Sequence, residues 1–248
     1  MISNGKFYES QFEEATIELL REAHWQYAFG DDIHRKYTDP LIEEDLRNFL
    51  AVQYKDKNLT TSEMDSIVAN LRNTGGQNDY YALRNTFLLY RDGYDFAYSD
   101  GRSNPFRLEY IDFEHPVHNI FRCVNQFVME QGRENRRPDI LLFINGIPVC
   151  IIELKNPTKQ NATIHDAHTQ ICTRYMRDIP ALLKYCALAV ISDGAKNALG
   201  ATYTPFEFFY EWKKIENEDK AGKGLDTLRT LIRGAISPER ILEILRDY

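Results

Sequence analysis

Two apolar runs separated by Asn145-Gly146 constrain the fold of this chain more than any other feature. The first run is Ile140–Ile144, and the second lies within Ile147–Leu154, where Val149–Ile152 carries only apolar side chains. An Asn-Gly pair between apolar runs predicts a two-stranded hairpin. Neither run alternates apolar with polar residues, so we expect helices to cover both faces of the resulting sheet.

The flanking segments predict a mixed α/β fold. Their periodicity and capping signals indicate helices at about residues 10–24, with Ser10 and Glu13 as a capping box, at about 39–92, at 162–177, at Leu225–Arg233 and at Pro238–Arg246. Apolar and aromatic runs indicate further strands at Tyr94–Tyr98, Arg107–Phe113, Phe121–Met129 and Tyr185–Ser192. The central order is therefore helix, three strands, helix, strand, around a four-stranded mixed sheet.

The composition excludes several functional classes. The 248 residues carry 30 Lys and Arg against 37 Asp and Glu, a formal net charge of −7, and 43% of positions are hydrophobic. This composition is typical of a folded globular chain, and it rules out intrinsic disorder and membrane-spanning helices. The acidic balance argues against a protein that coats nucleic acid non-specifically, but it is compatible with a site that handles phosphates through metal ions.

The length, the first residues and the cysteines indicate how the chain is organised and where it works. We expect one domain over residues 1–248, with a helical insert at about 39–92 and a C-terminal helical extension at about 225–248. Residues 1–6 lack a secretory signal, so we expect a cytoplasmic protein without membrane partners. Four isolated cysteines are expected to be reduced core thiols.

Three ionisable residues stand at one end of the predicted hairpin. Asp139 directly precedes the first strand, and Glu153 and Lys155 end the second, sharing a face because strand side chains repeat every two residues. Charges beside a dry core need a partner or a cation, and carboxylate oxygens suit Mg²⁺. Such an ion would polarise a phosphate and lower the pKa of a bound water, while Lys155 positions that water or stabilises charge. The pattern is typical of metal-dependent phosphodiester hydrolysis.

The hairpin register decides whether the two carboxylates can meet. A strict two-residue turn places Asp139 opposite Ile152, and so on the other face from Glu153. A three-residue loop with a bulge places Asp139 opposite Glu153. We predict this second arrangement, or an equivalent kink at Pro138 or Pro148.

The residues around this triplet carry a more specific signal. Arg137-Pro138-Asp139, followed by the hairpin and by Glu153-Leu154-Lys155-Asn156-Pro157, resembles the PD-(D/E)xK nuclease segment in the restriction (motor) subunit of type I restriction-modification enzymes. The resemblance extends forward through Tyr175 to Trp212-Lys213 and back to the first helix, and it is weakest over residues 30–80. It implies a restriction-endonuclease-like core in a domain that cleaves DNA.

The resemblance also implies roles for particular residues. Asp139 and Glu153 would bind Mg²⁺ with the Leu154 carbonyl as a further ligand, and Lys155 would assist the attacking water. The substrate would be double-stranded DNA, chosen by modification and specificity subunits. ATP would act only through motor domains, whose motifs do not occur in these 248 residues.

The helix after the hairpin departs from the family pattern. A Gln-x-x-x-Tyr motif on that helix contacts DNA or supports the site in the family, whereas Gln170 and Tyr175 are separated here by one more residue. In a regular α-helix the two residues would lie about 140° apart around the axis. Either the helix carries a π-bulge, or only one of the two residues faces the cleft.

Charged residues near the triplet are further candidates. Arg136 and Arg137 belong to a basic cluster just before Asp139, which either is a solvated loop or contacts DNA phosphates. An acidic residue on the first helix also often faces such sites in the family. Glu14 or Glu18 could have that role, although a solvated helix face is the favoured interpretation for both.

Two rival functions stay open beside the endonuclease. The same sheet could be a non-catalytic interaction or DNA-binding module, or its site could cut other nucleic acids. An Asp with Glu-x-Lys is frequent by chance, and Asp139 would then be a strand-start carboxylate beside a solvated ion pair of Glu153 and Lys155. The presence of all three residues within the longer resembling segment favours catalysis.

Overall fold

The computed structural model describes residues 4–155, 163–215, 222 and 224–247, with side chains described from residue 10 onward. Its α-helices are α1 Asn4–Glu22, α2 Glu43–Gln53, α3 Thr61–Asn73, α4 Asp79–Asp92, α5 Ile164–Thr169, α6 Met176–Asp178, α7 Pro180–Leu183, α8 Leu225–Ala235 and α9 Pro238–Asp247. Its strands are β1 Gln26–Phe29, β2 Tyr94–Phe96, β3 Phe106–Leu108, β4 Phe121–Asn125, β5 Met129–Gln131, β6 Glu134–Arg136, β7 Ile140–Ile144, β8 Ile147–Leu154, β9 Leu188–Ser192 and β10 Asn197–Ala201. The mixed α/β class is as predicted.

The central sheet has six strands in the order β1-β4-β7-β8-β9-β10. The pairs β4–β7, β7–β8 and β9–β10 are antiparallel, and the pairs β1–β4 and β8–β9 are parallel. The four predicted strands are the central four. The sheet is wider than expected because β1 has only four residues and is largely exposed, and β10 consists mostly of small residues, so neither gives a clear strand pattern in the sequence.

Apolar side chains pack on both faces of the sheet, as the hairpin sequence predicts. Ile140, Leu142 and Ile144 of β7 face one core, which also contains side chains of α1 to α4, α8 and α9. Leu141 and Phe143 face a second core, formed with α5, the π-helical turn after it and α7. All five residues are fully buried.

Helix boundaries follow the capping signals in one case and not in another. At the start of α3, the Thr60 side chain accepts the Glu63 N–H at 3.2 Å, and Glu63 accepts the Thr60 N–H at 2.9 Å. The predicted capping box at Ser10 is wrong, since α1 already begins at Asn4 and Ser10 lies inside the helix. No proline precedes Ser10, so nothing in that segment stops the helix from starting earlier.

The strand predicted over Phe121–Met129 is shorter than expected. β4 ends at Asn125 because Gln126 takes a left-handed backbone, with φ 55°, and Met129 starts the separate strand β5. The strand predicted from Tyr185 begins at Leu188, and the helix predicted from residue 162 begins at Ile164; residue 162 and Asn156-Pro157 lie outside the described residues.

The remaining predicted elements are present. Three α-helices fill the region of about residues 39–92. The aromatic segments after it pair as the antiparallel strands β2 and β3, which end at Phe96 and Leu108, before the predicted ends at Tyr98 and Phe113. All four cysteines are free thiols, and three of them are buried. No helix among the described residues combines the length and the apolar character needed to cross a membrane.

Candidate active site

The β7–β8 hairpin turns through two residues. Asn145 and Gly146 both have a left-handed backbone, with φ 51° and 77°, and Ile144 pairs directly with Ile147. The predicted three-residue loop is therefore wrong. The two-residue turn is favoured because asparagine and glycine tolerate positive φ and match the twist of the strands.

One residue of β8 is inserted just after Pro148, in the position of the predicted kink. Phe143 pairs with Pro148 but Leu142 pairs with Cys150, so Val149 is the additional residue of a β-bulge. Val149 and Cys150 are adjacent in the sequence, yet both face the first core. Proline cannot donate to the ladder, which weakens the pairing there. From Cys150 onward, every side chain of β8 points to the face opposite to that of an unbulged strand.

The bulge brings the two predicted carboxylates together. Ile140 pairs with Ile152, which sets Asp139 opposite Glu153 across the hairpin. Asp139 lies two residues before Leu141, and Glu153 lies two residues after Ile151. Both therefore lie on the face of Leu141 and Ile151, which face the second core on the side of α5. The Asp139 carboxylate also reaches across the hairpin and accepts the backbone N–H of Leu154 at 2.7 Å.

Asp139 and Glu153 place two acidic groups side by side in a largely buried position. Glu153 is 1% exposed. Burial raises the pKa of Asp139 well above its ordinary value, and the negative charge of Glu153 raises it further. A nearby cation stabilises the charged form of a buried carboxyl group whose ionisation a neighbouring carboxylate opposes.

Lys155 links the carboxylates to the following helix. Its ammonium group donates to Glu153 Oε1 and to Gln170 Oε1, both at 2.7 Å. Gln170 Nε2 in turn donates to the Tyr175 hydroxyl at 2.7 Å. The Lys155 side chain keeps 15% of its surface exposed, so it reaches the edge of the site while Glu153 lies beneath it.

A π-helical turn places both Gln170 and Tyr175 at the site. Residues Gln170–Tyr175 form the π-helix between α5 and α6. The wider turn absorbs the additional residue, so that side chains five positions apart come into contact. Of the two alternatives that the spacing leaves open, the π-bulge is therefore the one formed. Tyr175 is 3% exposed, and its burial together with the charge of Glu153 raises its pKa, which keeps the hydroxyl protonated.

The acidic residue of the first helix is Glu13, which the sequence analysis missed. Its carboxylate accepts from Asn125 Nδ2 at 2.7 Å and from Gln126 Nε2 at 3.1 Å, and its charge adds to the rise in the pKa of Asp139. Glu14 and Glu18 are exposed. The sequence assigns Glu13 to a capping box with Ser10, and the contacts that bring Glu13 to the site are with residues more than 100 positions away.

The predicted arginines line a cleft of about 460 Å³ together with Gln170, Tyr175 and two further arginines, Arg174 and Arg177. Arg136 is held by carboxylates, donating to Asp178 Oδ2 at 2.7 Å and to Glu134. Arg137 and Arg174 are exposed, and neither has an ion-pair partner within the described ranges. The cleft therefore presents uncompensated positive charge beside the acidic pair.

The fold and the site together define a class. A mixed sheet with helices on both faces, an aspartate before one strand and Glu-x-Lys at the end of the next is the restriction-endonuclease-like core. A family profile described as the N terminus of the R protein of type I restriction enzymes matches residues 6–208. The chain belongs to this family.

Individual relatives agree with the family assignment. The endonuclease subunit of the type I restriction enzyme HindI from Haemophilus influenzae is 31% identical over 97% of this chain and 24% of its own length. That of SsaAORF53P from Staphylococcus saprophyticus is 24% identical over 83% of this chain and 21% of its own length. That of EcoprrI from Escherichia coli is 32% identical over 50% of this chain and 40% of its own length. The chain thus spans about a quarter of the HindI subunit.

Proposed function

We propose that this chain is the Mg²⁺-dependent endonuclease portion of a type I restriction enzyme and hydrolyses phosphodiester bonds of double-stranded DNA. The supporting observation is the bulge at Val149, which puts Asp139 and Glu153 on one face with Lys155 bonded to Glu153. A hairpin that served only as a scaffold would not need a second carboxylate at its end that raises the pKa of Asp139.

The donor set fits a magnesium ion. Asp139 and Glu153 offer carboxylate oxygens, and the backbone carbonyl of Leu154 is a third oxygen on the same strand end. Glu13 adds negative charge from the neighbouring helix. When bound by these groups, the ion would polarise the scissile phosphate and lower the pKa of a coordinated water.

Lys155 and its partners supply the remaining chemistry. An ammonium group has three N–H donors, and two of them bind Glu153 and Gln170. The third can position the attacking water or stabilise the charge that develops on the phosphate. Tyr175 fixes Gln170, and Gln170 fixes Lys155, so the donor is held in place before the substrate binds.

The arginine-lined cleft would hold the DNA backbone. Arg137 and Arg174 are exposed beside the acidic pair, and such guanidinium groups bind phosphates without reading the base sequence. Arg136 contributes through its fixed position at the end of β6. This local charge would offset the net charge of −7 that otherwise repels DNA.

The intact enzyme would supply the other functions. This chain spans about a quarter of the HindI endonuclease subunit, so we place an ATP-driven DNA motor in the remainder. Modification and specificity subunits would choose the DNA, and the complex would work in the cytoplasm.

Calorimetric titration with Mg²⁺ or Mn²⁺ tests the metal site. We expect Asp139→Ala and Glu153→Ala to abolish binding while circular dichroism shows an unchanged fold. Glu14→Gln is the matched control, because Glu14 is an exposed carboxylate next to Glu13 and should leave the affinity unchanged. Unaltered metal affinity in both alanine variants would refute the assignment of the site.

Plasmid nicking by the reconstituted enzyme tests catalysis. Lys155→Ala should keep the metal affinity but abolish nicking, because it removes the amine and leaves both carboxylates. Equal nicking by wild type and Asp139→Ala would show that the chain is not the nuclease. Metal binding without any nicking by the complete wild-type enzyme would instead favour the non-catalytic module.

A further inference from the structure

A second group of metal-ligating side chains lies at the opposite end of the hairpin. Asp112, His115 and His118 each offer a ligand atom, and these three atoms lie within 4.8 Å of one another. The group lies in the segment between β3 and β4, beside the Asn145-Gly146 turn. The length of β7 separates it from Asp139 by roughly 20 Å, at about 3.4 Å per residue.

The local backbone brings the two imidazoles together. Pro116–His118 forms a 3₁₀ turn, closed by the His118 N–H donating to the His115 carbonyl at 3.0 Å. Residues three apart are eclipsed in a 3₁₀ helix, so the rings of His115 and His118 stack with centroids 5.0 Å apart. Both side chains project from the same side of the loop.

Asp112 is fixed under the two rings. Its side chain is 5% exposed, and its Oδ1 accepts the backbone N–H groups of Glu114 at 3.0 Å and His115 at 2.8 Å. Its Oδ2 accepts from Gln53 Nε2 at 3.1 Å and lies 2.9 Å from His118 Nδ1. The carboxylate is therefore held in position before any ion arrives, which lowers the entropic cost of binding.

Asn119 ties this loop to the hairpin turn. Its Oδ1 accepts the Asp112 N–H at 2.9 Å and the Asn145 Nδ2 at 2.8 Å, and its Nδ2 donates to the Asp112 carbonyl at 2.7 Å. These hydrogen bonds attach the loop backbone to the buried turn, while both histidines face solvent. Their side chains are 61% and 49% exposed, so an ion could enter without opening the fold.

The distances from the Asp112 carboxylate to the two imidazoles are close to those between ligands of a small transition-metal ion. Bonds of about 2.1 Å in tetrahedral geometry place neighbouring ligand atoms about 3.4 Å apart. The carboxylate oxygens of Asp112 lie 3.5 Å from His115 Nδ1 and 2.9 Å from His118 Nδ1. Two imidazoles and one carboxylate favour Zn²⁺ over Mg²⁺, which prefers oxygen ligands alone.

We propose that Asp112, His115 and His118 bind one Zn²⁺ ion, with water in the fourth position. The ion would lie between His118 Nδ1 and the Asp112 carboxylate, which are 2.9 Å apart, and would link the 3₁₀ turn to the loop that Asn119 joins to the hairpin turn. The site is separate from the acidic pair at Asp139 and Glu153 and does not depend on nuclease activity.

Zinc titration of the whole chain tests this site. A large excess of Mg²⁺ is kept present to occupy oxygen-only sites, and bound zinc is measured by calorimetry and by metal analysis after dialysis. We expect one zinc per chain and a higher melting temperature with zinc than without. His118→Ala and His115→Ala should each weaken the affinity by about tenfold or more. Cobalt substitution should give visible absorption in wild type that both variants lose.

Three further variants make the result specific. His118→Gln keeps a donor toward Asp112 and so guards against loss of the fold, but it should also lose zinc. Asp139→Asn and His165→Ala, an exposed histidine of α5, should bind zinc as wild type does. Zinc binding that survives in His115→Ala/His118→Ala, or its absence from wild type under excess Mg²⁺, would overturn the proposal.

Discussion

The two ends of the β7–β8 hairpin carry buried polar groups of opposite kinds. At the turn, the Asn145 side chain is fully buried and donates to the Tyr110 carbonyl at 2.9 Å and to Asn119 Oδ1 at 2.8 Å, while it accepts the Ile120 N–H at 2.7 Å. At the strand end, Asp139 lies opposite Glu153, whose negative charge disfavours the ionisation of Asp139.

The difference indicates that the turn end of the hairpin serves stability and the acidic end serves function. Polar groups that satisfy each other's hydrogen bonds, as at the turn, hold the fold together. Like charges placed together lower stability, and a folded protein tolerates them where they bind something. We therefore expect substitutions at the turn to lower the free energy of unfolding, and substitutions at the acidic end to abolish activity while leaving the fold intact.

The largest effect is expected from Asp139→Asn. In the reconstituted enzyme it should lower the nicking rate by about 1,000-fold or more, because the proposed metal ion would contribute several kcal/mol to transition-state stabilisation. The free energy of unfolding of the chain, measured with urea in EDTA, should stay equal or increase. A clear loss of stability would contradict the contrast between the two ends.

The same pair of proteins gives a pH test. The pKa of Asp139 is raised in the folded state above its ordinary 3.8, so the unfolded chain ionises first as the pH rises. Ionisation therefore favours unfolding of wild type over the interval between the two pKa values. Urea titrations should show equal stability of wild type and Asp139→Asn in acid, and lower stability of wild type at neutral pH. A wild type that gains stability over the same interval would refute the raised pKa.

Gly146→Ala should cause the largest loss of stability at the turn. A Cβ at this position would lie 2.1 Å from the Ile42 carbonyl oxygen, and the backbone has φ +77°. We expect about 3 kcal/mol or more in the free energy of unfolding, measured with urea. Gly101→Ala is the matched control, because φ is +65° there but no atom lies within 4 Å, so only about 1 kcal/mol should be lost. Equal losses would show that the contact with Ile42 is unimportant.

Asn145→Gly removes the side chain of the turn but keeps its backbone. Glycine tolerates the φ of 51°, so the loss should come from the buried partners left without hydrogen bonds, about 2 kcal/mol. Asn58→Gly is the control, since Asn58 has φ 50° but is not buried, and its stability should change little. Similar urea midpoints for the two variants would disprove the role of the buried network.

Tyr175→Phe should have the smallest effect, with a small loss of both stability and nicking activity. It removes the hydroxyl bonded to Gln170, which should lower the free energy of unfolding by about 1 kcal/mol and the nicking rate by about tenfold. Tyr210→Phe, at an exposed tyrosine, should change neither. An activity equal to that of wild type would show that Gln170 holds Lys155 without help.

The sequence alone determined a large part of this structure. The continuous apolar runs around Asn145-Gly146 predict a hairpin buried on both faces. A strand with one solvent-exposed face would carry a polar residue at every second position, and these strands do not. The additional residue between Gln170 and Tyr175 limited the helix to two possibilities, a π-bulge or a regular α-helix with only one of the two residues facing the cleft. The strand-end positions of Asp139, Glu153 and Lys155 identified the site.

Tertiary structure decided the features for which the local sequence pattern allows more than one arrangement. The sequence predicts Asp139 opposite Glu153 through a three-residue loop or a kink at Pro138 or Pro148, and the folded hairpin forms the bulge at Val149. Strands β1 and β10 form because they pair with β4 and β9, since the sequence pattern of neither segment by itself predicts a strand. Glu13 joins the site only through contacts with residues more than 100 positions away, which no local period encodes.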